Sequence, residues 1–324
     1  MPRREELSVR AGDVELAATL SLPDAPPPPD RRGRYPNVLL IGSWLPRTRD
    51  GGWDLVRHAA WFAPPGDEHP GLLARLSDAL AIHGVASLRC DPRGCGASEG
   101  NWEATSLFTR IDDARDALGA MRSQSELDLS RAGILGHGEG AGIAMSVAIG
   151  DPAIGALTLV GAAARSYRDV LRRGVAERGR RGIDRQHPIV AALDRASEEL
   201  IERADRGEPA CELPLDANTS VHLELDGLRQ AFGTPPRALV TMLNRSLTLV
   251  HGADDAWVDP SEAELLLAAR PHTAGAVREM NVARAGHDLD EAPDATIDEI
   301  AADLAARLEP RELPPVLLAI SEMG

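Results

Sequence analysis

The sequence contains no lysine, so all 35 of its basic residues are arginine and chemistry that needs a catalytic lysine is excluded. Aromatic residues make up only 3% of the chain, too few for platforms that stack nucleic-acid bases. The net charge is −15, and contacts to phosphate need a basic face. We therefore expect no nucleic-acid partner.

Cysteine and long hydrophobic runs are also scarce. The three cysteines (Cys90, Cys95 and Cys211) are an odd number without metal-like spacing, so we expect reduced thiols, a cytoplasmic location and no metal or cofactor. The charged N-terminus lacks the apolar segment of a signal peptide, and no apolar run is long enough to cross a membrane. The sequence leaves a homodimer open.

Short apolar runs alternate with helical stripes along most of the chain. A hairpin over 7–20 precedes a stiff, proline-rich connector over 23–36. Further strands are predicted at 37–41, 85–88, 132–136, 156–160, 246–250 and 277–281, and helices at 72–80, 107–121, 139–149, 262–269 and 297–308. This alternation predicts an α/β fold with a mostly parallel central sheet and helices on both faces.

Residues 164–236 interrupt the alternation. The segment is rich in charged residues and contains two predicted helices but no good strands. Because ligands bind at the carboxyl edge of open α/β sheets, an insertion after a central strand predicts an inserted helical cap over the site. The predicted organisation is a core over 1–163, a cap over 164–236 and a second part of the core over 237–324.

Two groups of side chains near this cap each have two interpretations. A run of arginines either steers an acidic substrate, a CoA thioester or a carrier protein, or forms a solvated helix face. Four loop tryptophans either line the pocket mouth or anchor their loops. The arginines are Arg165, Arg168, Arg172, Arg173, Arg178, Arg180, Arg181 and Arg185, and the tryptophans are Trp44, Trp53, Trp61 and Trp102.

The stretch Gly136-His137-Gly138-Glu139-Gly140 joins a predicted strand to a predicted helix. This is the frame of a nucleophile elbow, whose pattern G-x-S-x-G exposes a serine on a sharp turn. Gly138 occupies the serine position, so no acyl-enzyme can form there. A literal match to the pattern, with Ser98 at its centre, is predicted to be a loop because no helix follows it.

In order along the chain, five stretches resemble the motifs of the α/β-hydrolase superfamily, in particular those of bacterial esterases and serine-aminopeptidase-like hydrolases. These stretches are residues 41–50, 91–100, 136–141, 251–255 and 286–287. Two positions depart from the family pattern: Gly138 replaces the nucleophilic serine, and Ile41 replaces a histidine before the oxyanion loop. The resemblance implies the α/β-hydrolase fold.

The resemblance also implies roles for individual residues. Asp255 and His287 match the acid and the base of the family, and the backbone N–H groups of Glu139 and of Ser43 or Trp44 match its oxyanion hole.

Neighbouring residues are given other roles. His137 is expected to pack behind the turn, and Asp254 to face solvent or cap its turn. Glu139 is expected to act as an acidic residue in the first helical turn rather than as a replacement nucleophile.

Three functions follow from this pattern. The first is an enzyme that uses the Asp255–His287 dyad without covalent catalysis, as a hydrolase or as a lyase, isomerase or cyclase, on a small or medium carbonyl compound such as a secondary metabolite. The second is a catalytically silent pseudo-hydrolase that binds a ligand. The third is a serine esterase or peptidase inactivated at position 138. Retention of an acid and a base favours the first.

Overall fold

A computed structural model describes residues 2–27, 33–62, 71–181, 187–272 and 274–310. Residues 28–32 of the predicted connector over 23–36 and residues 311–324 of the second core part therefore lie outside the described residues. The strands are β1 (Arg3–Ala11), β2 (Val14–Leu22), β3 (Tyr35–Ile41), β4 (Ala86–Cys90), β5 (Leu127–His137), β6 (Ile154–Val160), β7 (Ala210–Pro214), β8 (Ser220–Glu224), β9 (Ser246–Gly252) and β10 (Val277–Val282).

Eight of these strands form one sheet in the order β1-β2-β4-β3-β5-β6-β9-β10. The first two strands pair in antiparallel fashion, and β2 is antiparallel to β4. From β4 to β10 every pairing is parallel. The carboxyl ends of β5, β6, β9 and β10 therefore meet at one edge, which is where the loops with the candidate residues begin.

Helices cover both faces of this sheet, as predicted. They are α1 (Leu72–Ile82), α2 (Leu107–Arg122), α3 (Glu139–Gly150), α4 (Tyr167–Arg181), α5 (Pro188–Asp205), α6 (Leu225–Gly233), α7 (Pro236–Val240), α8 (Glu262–Ala269) and α9 (Asp294–Arg307).

Successive residues of a strand point to opposite faces. Leu39 accordingly packs into the layer with α2, α3 and α8, whereas Val38 and Leu40 pack into the layer with α1 and α9. The continuous apolar run of β3 thus reflects burial on both faces.

The inserted segment corrects one prediction. Besides α4, α5 and α6 it contains an antiparallel pair formed by β7 and β8. Cys211, Leu213, Val221 and Leu223 are buried and alternate with exposed polar residues, so the pair covers an apolar layer with one face only. This period of two was readable from the sequence, but the strands are short and the charged composition of the segment hid them.

None of the described helices has the length and apolar character needed to cross a membrane.

Candidate active site

Gly138 lies at the turn between β5 and α3 and has φ 57° and ψ −118°, a conformation that side-chain-bearing residues rarely adopt. Its N–H donates to the carbonyl of Val160 at 2.9 Å, which fixes the turn to the next strand. A Cβ atom on Gly138 would overlap Oγ of Ser43 and would lie 2.9 Å from Nε2 of His287. The strand, turn and helix thus have the arrangement expected of a nucleophile elbow, and the side chains of Ser43 and His287 occupy the space where a side chain at position 138 would lie.

Asp255 follows β9, His287 follows β10, and the two side chains meet. Oδ2 of Asp255 lies 2.7 Å from Nδ1 of His287, and Oδ1 accepts the N–H groups of Trp257 and Val258 at 2.7 and 2.9 Å. An ionised carboxylate can only accept, so Nδ1 carries the proton. Nε2 is left unprotonated beside Gly138, which is the state that a general base requires.

The charges of the dyad support this protonation state. Burial alone would lower the pKa of His287, but the charge of Asp255 and the hydrogen bond to it raise that pKa above its ordinary value. Burial alone would raise the pKa of Asp255, but His287 and two backbone N–H donors lower it below its ordinary value. Asp255 is therefore ionised at neutral pH, and its charge favours the protonated form of His287.

A second set of contacts holds the loop of His287 from behind. Nε2 of His137 donates to the carbonyl oxygen of His287 at 3.0 Å, and burial lowers the pKa of His137 to about 3, so its ring is neutral. Arg47 donates to Asp288 at 3.0 Å, and the charge of Arg47 holds the pKa of Asp288 at about 2 despite its burial. These contacts fix the backbone and the loop that carry the His287 ring.

Gly161, directly after β6, was not singled out by sequence reasoning. It has φ 58°, and a Cβ atom there would lie 2.8 Å from Cε1 and 3.0 Å from Nδ1 of His287. Its N–H donates to the carbonyl of Val250 at 2.8 Å. The dyad therefore needs glycine at this position. A glycine directly after a predicted central strand was the available signal.

The loop after β3 carries Ser43 and Trp44, and a carboxylate anchors its far end. Asp91 accepts the backbone N–H of Arg49 at 2.6 Å, and its other oxygen accepts a guanidinium N–H of the same arginine at 2.9 Å. That second oxygen also accepts the N–H of Ala97 at 3.0 Å. The two motif loops are thus tied together beside the elbow.

Glu139 is the first residue of α3, as expected for an acid in the first helical turn. Its side chain is almost fully buried and accepts a 2.8 Å hydrogen bond from Arg110. This pairing leaves the carboxylate unsuited to replace the missing nucleophile. The N–H groups at the start of α3 have no acceptor within the helix, which is the requirement for an oxyanion hole.

A mostly apolar pocket opens over the dyad. Its open volume, counting the part continuous with solvent, is ≈ 700 Å³, within the range of small-molecule sites. Ser43, Gly138 and His287 lie at its base. Its walls come from the loop after β3 and from α4 and α6, and include Trp44, Trp53, Tyr167, Leu171, Leu228 and Phe232.

The other residues singled out from the sequence, namely Ser98, Asp254 and two of the tryptophans, do not line the pocket over His287. Ser98 is buried, donates to the carbonyl of Asp91 at 2.7 Å and accepts the N–H of Ala17 at 2.9 Å, so its hydroxyl is fully engaged. Asp254 is exposed, and its carbonyl accepts a hydrogen bond from Arg181. Trp61 and Trp102 are buried in one apolar cluster with Leu171, Ile189 and Leu225, and so anchor their loops.

The arginine run is largely neutralised by neighbouring acids, which favours the solvated-face interpretation for its exposed members, whereas Arg178 is buried against Asp194. Arg185 lies outside the described residues. The others pair with Glu262, Asp205, Glu198, Asp259, Asp194 and Glu177.

Among the residues that the structure describes, one group has metal-ligating atoms close together: Asp54, His58 and Cys95, within 4.8 Å of one another. The oxygens of Asp54 already accept three backbone N–H groups, and His58 lies 3.0 Å away. Burial raises the pKa of the Cys95 thiol to about 12, which disfavours the thiolate that a metal needs. These contacts are those of a loop anchor.

Comparisons with known proteins agree with this architecture. The model of a family described as "Serine aminopeptidase, S33" matches residues 60–204, a span that includes the elbow and ends before the dyad residues. A search of curated protein sequences finds no significant match.

Solved structures are similar over nearly the whole chain. Est1E from Butyrivibrio proteoclasticus, solved with ferulic acid bound, is 16% identical with a TM-score of 0.62, over 93% of this chain and 98% of Est1E. DcsB, solved with a substrate analogue, is 13% identical with a TM-score of 0.65, over 94% of this chain and 98% of DcsB. The α/β hydrolase GrgF from Penicillium sp. sh18 is 14% identical with a TM-score of 0.60, over 94% of this chain and 98% of GrgF. The chain therefore has the α/β-hydrolase fold. Within that fold it is similar to esterases and to hydrolases of the serine-aminopeptidase type.

Proposed function

We propose that this chain is a hydrolase of small or medium-sized acyl compounds that uses Asp255 and His287 without an elbow serine. The observation that carries the proposal is the 2.7 Å contact between Nδ1 of His287 and Oδ2 of Asp255, next to a pocket and to Gly138. A pure binding protein has no need of an oriented general base.

In this mechanism Nε2 of His287 takes the proton of an attacking hydroxyl group and later returns it to the leaving group. Asp255 holds the ring in the required tautomer and stabilises the imidazolium that forms. The backbone N–H groups of Glu139 and of Ser43 or Trp44 bind the oxyanion of the tetrahedral intermediate. The apolar pocket takes the acyl chain, and the carboxylic acid bound to Est1E is a ligand of the size that such a pocket accepts.

The test is a panel of p-nitrophenyl esters with short, medium and aromatic acyl groups. We expect His287→Ala and Asp255→Asn to reduce kcat/KM by about 10²–10⁴-fold, the typical contribution of a general base. His222→Ala is the matched control, because His222 pairs with Glu212 on the exposed hairpin of the cap. Equal rates in all four proteins would contradict the proposal and favour a pseudo-hydrolase that binds a ligand.

A further inference from the structure

The side chain of Ser43 fills the space that the elbow serine would occupy. A Cβ atom on Gly138 would overlap Oγ of Ser43 and would lie 2.9 Å from its Cβ atom. The same point lies 2.9 Å from Nε2 of His287. A hydroxyl group and the general base therefore converge on the place from which an elbow serine acts.

The hydroxyl group of Ser43 is also available. Within the described parts of the chain it has no hydrogen-bond partner, whereas the hydroxyl of Ser98 both donates and accepts. A half-buried hydroxyl without a partner loses part of its hydration without compensation unless a ligand or a base engages it. Ser43 lies in the same pocket as His287, where a substrate carbonyl could reach it.

Two other pocket side chains with lone pairs are held by neighbours. The carboxylate of Glu139 accepts a hydrogen bond from Arg110, and the hydroxyl of Tyr167 lies 3.4 Å from the carbonyl oxygen of Glu139. The hydroxyl of Tyr167 is not among the three atoms nearest to a Cβ position on Gly138, whereas Oγ of Ser43 and Nε2 of His287 are. The arrangement leaves Ser43 as the hydroxyl that His287 can activate.

We propose that Ser43 is the nucleophile of this protein, taking over from another loop the role of the missing elbow serine. This rests on the proposed hydrolase function and specifies its attacking group. Oγ of Ser43 forms a bond to the acyl carbon while its proton passes to Nε2 of His287, and the carbonyl electron pair moves to oxygen. Collapse of this intermediate breaks the bond to the leaving group, which takes the proton.

The acyl-enzyme is then an ester of Ser43. His287 removes a proton from water, the hydroxide attacks the acyl carbon, and the bond to Oγ breaks as the proton returns to Ser43. The N–H groups at the start of α3 stabilise the oxyanion in both steps, because the helix N-terminus favours negative charge. The overall reaction is hydrolysis, with water as the only co-reactant.

The experiment combines ester hydrolysis with covalent labelling of the full chain. The probes are p-nitrophenyl butyrate and an alkyl fluorophosphonate, and labelling is read by intact mass and peptide mapping. We expect one phosphonyl group per chain, located on Ser43. In Ser43→Ala we expect loss of that label and a fall in ester cleavage of about 10³-fold or more.

Ser43→Ala keeps the backbone N–H of residue 43, so its effect isolates the hydroxyl from any oxyanion contact. Ser146→Ala is the matched control, since Ser146 lies on α3 and donates to the carbonyl of Gly142. Ser43→Cys keeps a nucleophile at the same place, and its alkylation by iodoacetamide should slow when His287→Ala is added. This second variant keeps the proposal testable if Ser43→Ala folds poorly.

Each remaining outcome counts against one or both proposals. Cleavage that survives Ser43→Ala and is lost in His287→Ala overturns the role of Ser43 and leaves a hydrolase that uses water directly. A label that maps to another residue also overturns it. Cleavage and labelling that are insensitive to His287→Ala, or absent from the unaltered protein, overturn both proposals.

Discussion

Replacing Gly138 by serine tests the strain and crowding at the elbow. The backbone of Gly138, with φ 57° and ψ −118°, disfavours any side chain. Such a conformation costs about 1–3 kcal/mol for a residue other than glycine. The added Cβ atom would also overlap Oγ of Ser43. We therefore expect Gly138→Ser to lower the free energy of unfolding by about 1–3 kcal/mol from backbone strain, with a further loss from the overlap.

A double-mutant cycle separates the two contributions. In a Ser43→Ala background the overlapping oxygen is gone, so Gly138→Ser should cost less there by a coupling energy of about 0.5–3 kcal/mol, as for other residues in contact. The assay is urea unfolding followed by circular dichroism. Gly150→Ser is the control, because Gly150 lies at the end of α3 with open space around it, and we expect a change within about 0.5 kcal/mol.

The cycle also has a catalytic readout. The double variant carries a hydroxyl at the elbow beside His287 and none at position 43, so fluorophosphonate should label position 138. If Gly138→Ser costs the same in both backgrounds, Ser43 does not occupy the elbow space and the steric argument is wrong. If Gly138→Ser is as stable as the control, the argument from backbone strain is wrong as well.

Three further outcomes are expected. Gly161→Ala should push the His287 ring out of place and reduce kcat at least 10²-fold, on the order of a lost general base, while Gly119→Ala, with open space around it in α2, leaves the rate unchanged. The rate should fall as pH drops through the raised pKa of His287, above 6.5, because only the neutral ring accepts a proton; a midpoint below 6.5 would refute this. Asp288→Asn should destabilise the protein by about 3 kcal/mol in urea unfolding because Arg47 then keeps an uncompensated buried charge; an effect below about 0.5 kcal/mol would contradict this.

The sheet and its flanking helices could be predicted because their residues repeat with regular periods. The predicted helix 262–269 matches α8, and the predicted strand 132–136 falls within the longer β5. Ends were less accurate because exposed residues such as Arg3 and Arg4 extend β1 through backbone pairing alone. Backbone pairing of this kind leaves no hydrophobic pattern.

Residues of the candidate site could be predicted only where a chemically suitable residue type occurs within a recognisable motif. Asp255 and His287 meet both conditions. The side-chain position of Ser43 had no signal, because it depends on how the loop after β3 meets the elbow in three dimensions. The need for glycine at position 161 likewise arises from a close approach to His287, which lies 126 positions further along the sequence.

The segment over 164–236 and loops of the core share one apolar cluster. Leu171, Ile189 and Leu225 of that segment pack in the same layer as Trp61 and Trp102, which belong to loops of the core. A corresponding segment transplanted from a relative would therefore leave these indole rings without their partners. An engineered exchange of this segment has to move the core loops with it as one unit.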